Sequence, residues 1–291
     1  MYSDEDMLLK LRLNELNNFV NKFVISEAKY THDGKKKELN FDVNNFKDFE
    51  KKIEYIVVED QPPNILIENS DDDKKLKAEK KVINSIRRDI FQREQLAKGL
   101  KEARGNDIII ISDLDEIPNL NKINFNEIDN EILVFKQKMF YYKFNLNYEN
   151  FIWFGTKATK RKNFLSPQWM RNIKNKKYPF WRIDTFFSKN KYTNIKFVED
   201  GGWHFTCIKN PEDVQKKLLS FAHHQDFEDS NISLDDLKKR MSEKKVLYNH
   251  RLDQKNKNKW KSSISLKKIN IKSLPSQIQK NEKIYTEWLE K

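Results

Sequence analysis

DIIIISDLDEIP, residues 107–118, runs four consecutive isoleucines into an acidic pair of D-x-D spacing. The isoleucines are all β-branched and bounded by acidic residues, which fits a short, doubly buried strand of a parallel sheet better than a helix. In an extended chain Asp113 and Asp115 then point to the same side. Open α/β sheets bind ligands at the carboxyl ends of their strands. Two coaligned carboxylates there are placed to hold Mg²⁺ or Mn²⁺ against a substrate's phosphates. Asp4-Glu5-Asp6 and Asp71-Asp72-Asp73 share the spacing but follow no buried strand, and read as helix starts or solvated acidic turns. The competing reading of residues 113–118 is an acidic turn capping the next helix or loop, with Pro118 stopping the strand.

Upstream of this block, strand and helix patterns alternate. Asp4 precedes Leu8, Leu9, Leu13, Leu16 and Val20 at the spacing of an amphipathic helix with an acidic first turn. A short strand, Phe23 to Ile25, ends at Glu27. Thr31-His32-Asp33-Gly34 is a turn, Asn45 can cap a short helix through Ile53, and Tyr55 to Val58 make a second strand. A long helix is expected over residues 71–104, amphipathic through Ile83, Ile86, Ile90, Phe91 and Leu96 and ending near Gly105. This alternation predicts a Rossmann-like half with parallel strands and crossover helices.

Downstream the pattern changes. Residues 132–144 and 151–159 are aromatic-rich and extended, which suggests an antiparallel hairpin flanking the sheet. Ser166-Pro167 starts a short helix, and Trp203-His204-Phe205 forms a strand after a Gly201-Gly202 turn. Pro211-Glu212-Asp213 opens a helix through about His224, and a further helix spans about 234–248. The lysine-rich stretch from residue 251 shows little hydrophobic period before residues 284–289. The expected layout is one domain over residues 1–250 and a lysine-rich C-terminal extension over 251–291.

Composition bounds the remaining possibilities. At 291 residues and 37% hydrophobic content the chain can bury a substantial core. No stretch approaches the roughly 20 apolar residues of a membrane helix, and the first 20 residues are charged and periodic. The expectation is therefore a cytoplasmic protein with neither signal peptide nor anchor. A single cysteine, Cys207, excludes an internal disulfide and a Cys-rich zinc site, and reads as a core thiol. The formal net charge of +12 is compatible with nucleic acid, an anionic membrane surface or an anionic substrate. Its lysines are scattered rather than interleaved with aromatics in one motif, so no nucleic-acid partner is expected. The basic C-terminal stretch lacks a clear apolar face and reads as solvated, with peripheral membrane contact as the other option.

Several segments together resemble glycosyltransferase family 17, whose best known member adds the bisecting N-acetylglucosamine to the core mannose of N-glycans. They are LLKLRLNEL (8–16), FVISE (23–27) with Thr31 and Gly34, Arg93-Glu94, ISDLDEIP (111–118), GGWHF (201–205), and Lys217-Leu218 with Ser220-Phe221-Ala222-His223. They occur in the family's order over roughly residues 2 to 225. The resemblance implies a GT-A-like fold, a Rossmann-type mixed α/β sheet flanked by helices. It further implies a nucleotide-sugar donor, a divalent metal (Mn²⁺ or Mg²⁺) and inversion at the anomeric carbon. UDP-GlcNAc is the donor expected, with a glycan hydroxyl as acceptor. The family pattern also carries an additional strand before the helix that begins near Asp4. The donor-side sheet of this sequence is accordingly expected to lack an edge strand. The membrane anchor of the animal enzymes is likewise absent from the sequence.

Chemistry assigns the expected roles. A nucleotide-sugar donor loses a diphosphate, and a hard cation bridging its oxygens neutralises the developing charge. Asp115 is the expected direct ligand, Asp113 binds ribose or a metal-bound water, and His204 completes the coordination. The other reading of His204 is a hydrogen-bonded support for the Trp203 turn. Inversion needs a base for the acceptor hydroxyl. Asp200 is the candidate, because the two glycines after it would let substrate approach and Trp203 could stack on a sugar; Glu116 is its rival. Arg93 is expected to contact donor phosphate or orient Glu94, with a surface ion pair as the alternative. Glu27 is expected to help bind the nucleotide, with a solvated carboxylate as the alternative. Two other functions compete. One is a metal-dependent nuclease or nucleic-acid-binding protein using Asp113, Asp115 and Glu116, and the other is a non-catalytic relative of the transferases.

Overall fold

The computed structural model describes all residues except 126–127, 129–130, 186, 221–223 and 253–255, together with the side chains of 225 and 257. Helix α1 (Asp6–Leu16) buries Leu8, Leu9, Leu11, Leu13 and Leu16. Beside it, β1 (Phe23–Ala28) and β2 (Ile53–Val58) pair in parallel, Phe23 opposite Ile53 and Ala28 opposite Val58. Their connection is a 3₁₀ segment, Val43–Lys52, kinked at Phe46. The long helix is shorter than its sequence pattern. Asp73 caps α2 (Lys74–Glu94) by accepting from the Leu76 amide at 2.7 Å, and 3₁₀ turns continue over Gln95–Leu100.

Strand β3 (Ile108–Ile111) corrects the expectation of a parallel, doubly buried strand. It pairs antiparallel with β8 (Lys157–Lys160), and its isoleucines alternate between buried and half-buried. An apolar run encodes burial but not the direction of its neighbour, and the neighbour here comes from far along the chain. The four-stranded sheet runs β3–β8–β5–β9, with β5 (Ile132–Phe135) antiparallel to β8 and parallel to β9 (Ile195–Val198).

A second sheet has five strands, in the order β11–β7–β6–β10–β4. They are β4 (Glu116–Pro118), β6 (Gln137–Tyr141), β7 (Leu146–Trp153), β10 (Gly202–Thr206) and β11 (Lys267–Lys268). The expected hairpin of residues 132–144 with 151–159 is met only in part: β6 pairs antiparallel with β7, but β5 and β8 belong to the other sheet, the chain changing sheets at Lys136. The architecture is thus mixed α/β with helices on the sheets, compatible with a GT-A-like fold. No strand precedes α1 among the described residues. A cavity of about 820 Å³ lies along β1 and β3, lined among others by Leu9, Leu13, Leu16, Phe23, Ile25 and Ile109.

Three apolar clusters hold the layers together. The largest joins the α1 leucines to Phe23, Ile25, Phe135, Phe140, Trp203 and Phe205. A second packs β6 and β7 against α4 (Pro211–Ser220) and α6 (Leu234–Ser242), with Cys207 buried inside it as expected. A third sets β3, β5 and β9 on α3 (Pro167–Asn172). Of the helix expected through His224, α4 covers Pro211–Ser220, and α5 covers His224–Glu228. Phe221, Ala222 and His223 of the family-like segment lie outside the described residues. Helix α6 ends before Val246 and Leu247, which turn into the core.

The C-terminal stretch is not the solvated face expected of it. Trp260 and Leu266 enter the second cluster, and Leu274, Ile278 and Tyr285 enter the first. Helix α7 (Ser276–Lys280) lies against α1, where the Glu15 carboxylate accepts from the amides of Ser276 and Gln277. These apolar residues are spaced singly among lysines in short turns, so no period announces them.

Candidate active site

Between β3 and β4 the chain does not run extended. The Glu116 amide donates to the Asp113 carbonyl at 3.1 Å, closing a turn over 113–116. The acidic-turn reading of residues 113–118 is therefore the correct local geometry, although Pro118 sits within β4 rather than ending a strand. Arg12, on α1, fastens this turn from below. Its guanidinium donates to the Asp113 and Glu116 carbonyls and to Ser112 Oγ. Burial pulls the guanidinium down to about 10, against the opposing charges of Glu116, Asp113 and Asp115.

Glu116 is fully buried and fully engaged. Its Oε1 accepts from Trp153 Nε1 at 2.7 Å, and its Oε2 accepts from the Asp113 amide at 2.9 Å and Arg171 Nη1 at 2.7 Å. Arg171, in α3, also donates to the Gly155 carbonyl at 2.6 Å and to Asp113 Oδ2 at 2.9 Å. Gly155 is required by this closeness, since a Cβ there would sit 1.8 Å from Glu116 Oε1. Burial alone would lower Arg171, but Asp113 and Glu116 raise it above its ordinary value.

Asp113 faces two guanidinia. Arg171 is at 2.9 Å, and Arg93 Nη2 is 3.6 Å from Oδ1. Burial would raise the carboxyl, but Arg171 and Arg93 hold it well below the usual carboxylate range. Arg93 is itself gripped by Asp89 and by Gln168 Oε1. It therefore forms the expected helix ion pair, buried rather than at the surface, and a second one with Asp113. It does not orient Glu94, whose Oε1 instead accepts from Ser166 Oγ and the Gln168 amide at the start of α3.

Asp115 faces a different group. Its Oδ1 is 3.6 Å from His204 Nε2 and its Oδ2 is 3.8 Å from Lys217 Nζ, with Glu5 on the other side of that lysine at 3.5 Å. Burial would raise Asp115, while His204 and Lys217 lower it. His204 stacks on Trp153 at 4.6 Å between centroids, and its Nδ1 is buried without a hydrogen-bond partner among the described residues. Beyond Trp153 lies a half-exposed aromatic surface of Phe151, Tyr248 and His250, the last two 4.1 Å apart. Burial first, and then the charge of His204, push His250 down to about 3.

The structure thus brings Asp113, Asp115, Glu116, Arg93 and His204 together and leaves three expected residues elsewhere. Glu27 is buried in β1, where it accepts from Lys37, the Asn40 and Phe41 amides and the Tyr55 hydroxyl. No described contact joins it to the turn. Trp203 is 8% exposed in the main core and donates to the Ser273 carbonyl at 2.8 Å, so its ring is not free to stack on a sugar. Asp200 precedes β10 at φ +45°, two-thirds exposed, with Lys138 Nζ 3.3 Å from its carboxylate. It lies in the turn before β10, and no described contact joins it to Asp115 or His204. The glycines after it admit backbone rather than substrate. A Cβ on Gly202, whose φ is +126°, would meet the Ile117 carbonyl oxygen at 2.2 Å.

Sequence reasoning missed Arg12, Trp153 and Arg171, and assigned Lys217 no role. The only signal available for Arg12 and Lys217 was their place inside the segments that resemble the family. Nothing about the residues flanking Trp153 or Arg171 marks them.

The donor set can be tested against a divalent cation. Among the described residues no three His, Cys, Asp or Glu side chains form a group able to hold a metal ion. An all-protein cage is thereby unsuited to this site. Asp115 and His204 Nε2, 3.6 Å apart, fit a two-ligand site that substrate phosphates complete, the usual manner of Mg²⁺ binding, while the unpartnered Nδ1 lies across the ring from Asp115. No helix among the described residues is long and apolar enough to cross a membrane. A family model described as glycosyltransferase family 17 matches residues 1–249. No curated protein and no solved structure matches the chain.

Proposed function

The chain belongs to glycosyltransferase family 17 and is a glycosyltransferase, and from that premise we propose how its site works. The donor is a nucleotide sugar, UDP-GlcNAc in the first instance, and its sugar passes to a saccharide hydroxyl with inversion. Asp115 and His204 would hold a Mn²⁺ or Mg²⁺ ion when donor is bound. That cation would supply neutralisation of the charge that develops on the departing diphosphate. The observation that carries this reading is the facing pair of the Asp115 carboxylate and His204 Nε2, 3.6 Å apart and set beside Lys217.

The remaining residues position and select. Glu116 acts as a positioning group, because four hydrogen bonds leave it no free lone pair for a substrate proton. Arg12 and Arg171 fix the 113–116 turn from its two faces, so that Asp115 presents one orientation. Asp113, braced by Arg93 and Arg171, is the candidate for the donor ribose. The half-exposed rings of Trp153, Phe151 and Tyr248 next to His204 provide a face on which an acceptor saccharide can stack.

One observation favours a second reading within the same reaction. Arg93, Arg171, Lys217 and Arg12 crowd the carboxylates, and such a set neutralises a diphosphate without any metal. Calorimetric titration of a panel of nucleotide sugars, with Mn²⁺ and with chelator, separates the two. Metal-dependent binding of one UDP-sugar that disappears in Asp115→Ala supports the first reading. Equal binding in chelator selects the second. Absence of binding to every donor by a folded protein overturns both.

A further inference from the structure

Sequence between α3 and β9 leaves the active site and forms a separate feature. Two residues after Arg171, Ile173 is buried, and the chain then runs outward before returning to β9. Its base is pinned. The Lys174 amide donates to the Asn190 carbonyl at 2.8 Å, the Tyr178 amide to the Tyr192 carbonyl at 3.1 Å, and Trp169 Nε1 to the Lys189 carbonyl at 2.7 Å. Asp184 is held by Arg182 and Lys191 around a 3₁₀ turn at Ile183–Thr185.

The tip of this pinned loop displays large apolar side chains to solvent. Phe180 is 77% exposed, Trp181 69%, Ile183 72% and Phe187 86%. Single exposed apolar residues are ordinary, but four among the described residues of one loop mark a contact surface. Around them stand Lys174, Lys176, Lys177, Arg182, Lys189 and Lys191, against the single acid Asp184.

We propose that the loop of residues 174–191 docks on an anionic lipid surface, inserting Phe180, Trp181, Ile183 and Phe187 below the headgroups while its lysines pair with them. Two features favour lipid over a protein partner. Lysine is depleted from the cores of protein interfaces, whereas here lysines surround the aromatic tip. Lysine with Phe and Trp is also the composition of segments that lie in the headgroup region, because the long stems reach up to the phosphates while rings sink beneath them. Each cation near an anionic surface adds on the order of 1 kcal/mol of attraction by the general rule for polybasic segments. Because the loop is rooted at Arg171, which touches Asp113 and Glu116, docking sets the active site at a fixed height above the surface. The lipid contact is independent of the transfer reaction; only the presentation of a lipid-borne acceptor rests on the function proposed above.

The test uses the full chain and vesicles of phosphatidylcholine, alone or with about one-third phosphatidylglycerol. The protein is expected to sediment with the anionic vesicles and not the neutral ones, and added salt weakens the association. Combining Phe180→Ser, Trp181→Ser and Phe187→Ser is expected to weaken binding roughly tenfold or more, as is Lys176→Glu with Lys177→Glu. Since these side chains are exposed, circular dichroism and melting should be unchanged. Quenching of wild-type tryptophan emission by brominated lipid should fall in Trp181→Phe. Wild-type protein that ignores anionic vesicles, or a triple serine variant that binds as well as wild type, overturns the proposal. Binding to an acidic protein surface in place of lipid does the same. Nucleotide-sugar titration of the triple variant is read separately, so failure of docking and failure of the transferase reading remain distinguishable.

Discussion

The middle of β10 and the turn that leads into it differ more than their closeness in sequence suggests. In the strand His204 packs on Trp153, 3.6 Å from Asp115, beside a carboxylate turn braced by arginines. In the turn, Asp200 stands two-thirds exposed on a left-handed residue with Lys138 beside its carboxylate. Trp203 and Phe205, on either side of His204, face the core while His204 faces the site, as strand alternation requires. Residues adjacent in the GGWHF block thus serve two unrelated surfaces. Contiguity in sequence is a poor guide to membership of one site.

If the His204 side is the reactive one, the Asp115 carboxylate facing it carries the largest effect. Asp115→Ala is expected to reduce transfer on the order of 10³-fold, because it removes a charged group that acts on the departing diphosphate. A progress curve with UDP-GlcNAc and a saccharide acceptor measures this, and residual activity within tenfold of wild type would break the comparison.

The next effect concerns stability. Arg171→Met strips Asp113 and Glu116 of their shared guanidinium, leaving Glu116 buried with its charge uncompensated. A loss of about 3 kcal/mol or more in urea unfolding is expected. The same brace has a pH signature. Asp113 is held below its unfolded value, so its contribution is complete above about pH 4 and is lost as pH falls through the folded value. The stability difference between wild type and Asp113→Asn should shrink as pH drops below about 4. A difference that grows there would contradict the direction of the shift. Smaller again, Trp153→Phe keeps a ring on His204 but loses the donor to Glu116, which should cost about 1.5–2 kcal/mol in the same assay.

The legible part of this molecule is local. The α1 leucines, β1, β2 and the strand into Asp113 follow from periodicity, and the family segments associate Asp115 with His204 from sequence alone. The hidden part depends on long-range pairing. Strand β3 finds β8 nearly fifty residues later, and an apolar run carries no record of that partner's direction. Arg171 and Trp153 look like any basic or aromatic residue until α3 and β7 carry them to Glu116. The C-terminal stretch shows the same limit from the other side. The family match ends at residue 249, yet Leu274, Ile278 and Tyr285 complete the core against α1. Lysine-rich composition conceals them because their burial follows no regular spacing.

The smallest effect is the most discriminating. Asp200 is the natural choice for the acceptor base when the chain is read as a line, since it immediately precedes the glycines and Trp203. In the fold it accompanies Lys138 in the turn before β10, with no described contact to Asp115 or His204, and Trp203 turns its ring away into the core. A base must come within hydrogen-bond reach of the acceptor hydroxyl, about 3 Å or one water away. Asp200 instead has its carboxylate 3.3 Å from Lys138, while the aromatic face beside His204 is formed by another set of side chains. Asp200→Asn is therefore expected to keep turnover within about threefold of wild type and to leave donor affinity unchanged, an exposed charge being screened and weakly coupled. Loss of turnover with intact donor binding would extend the acceptor from His204 to the turn before β10 and join the two into one site after all.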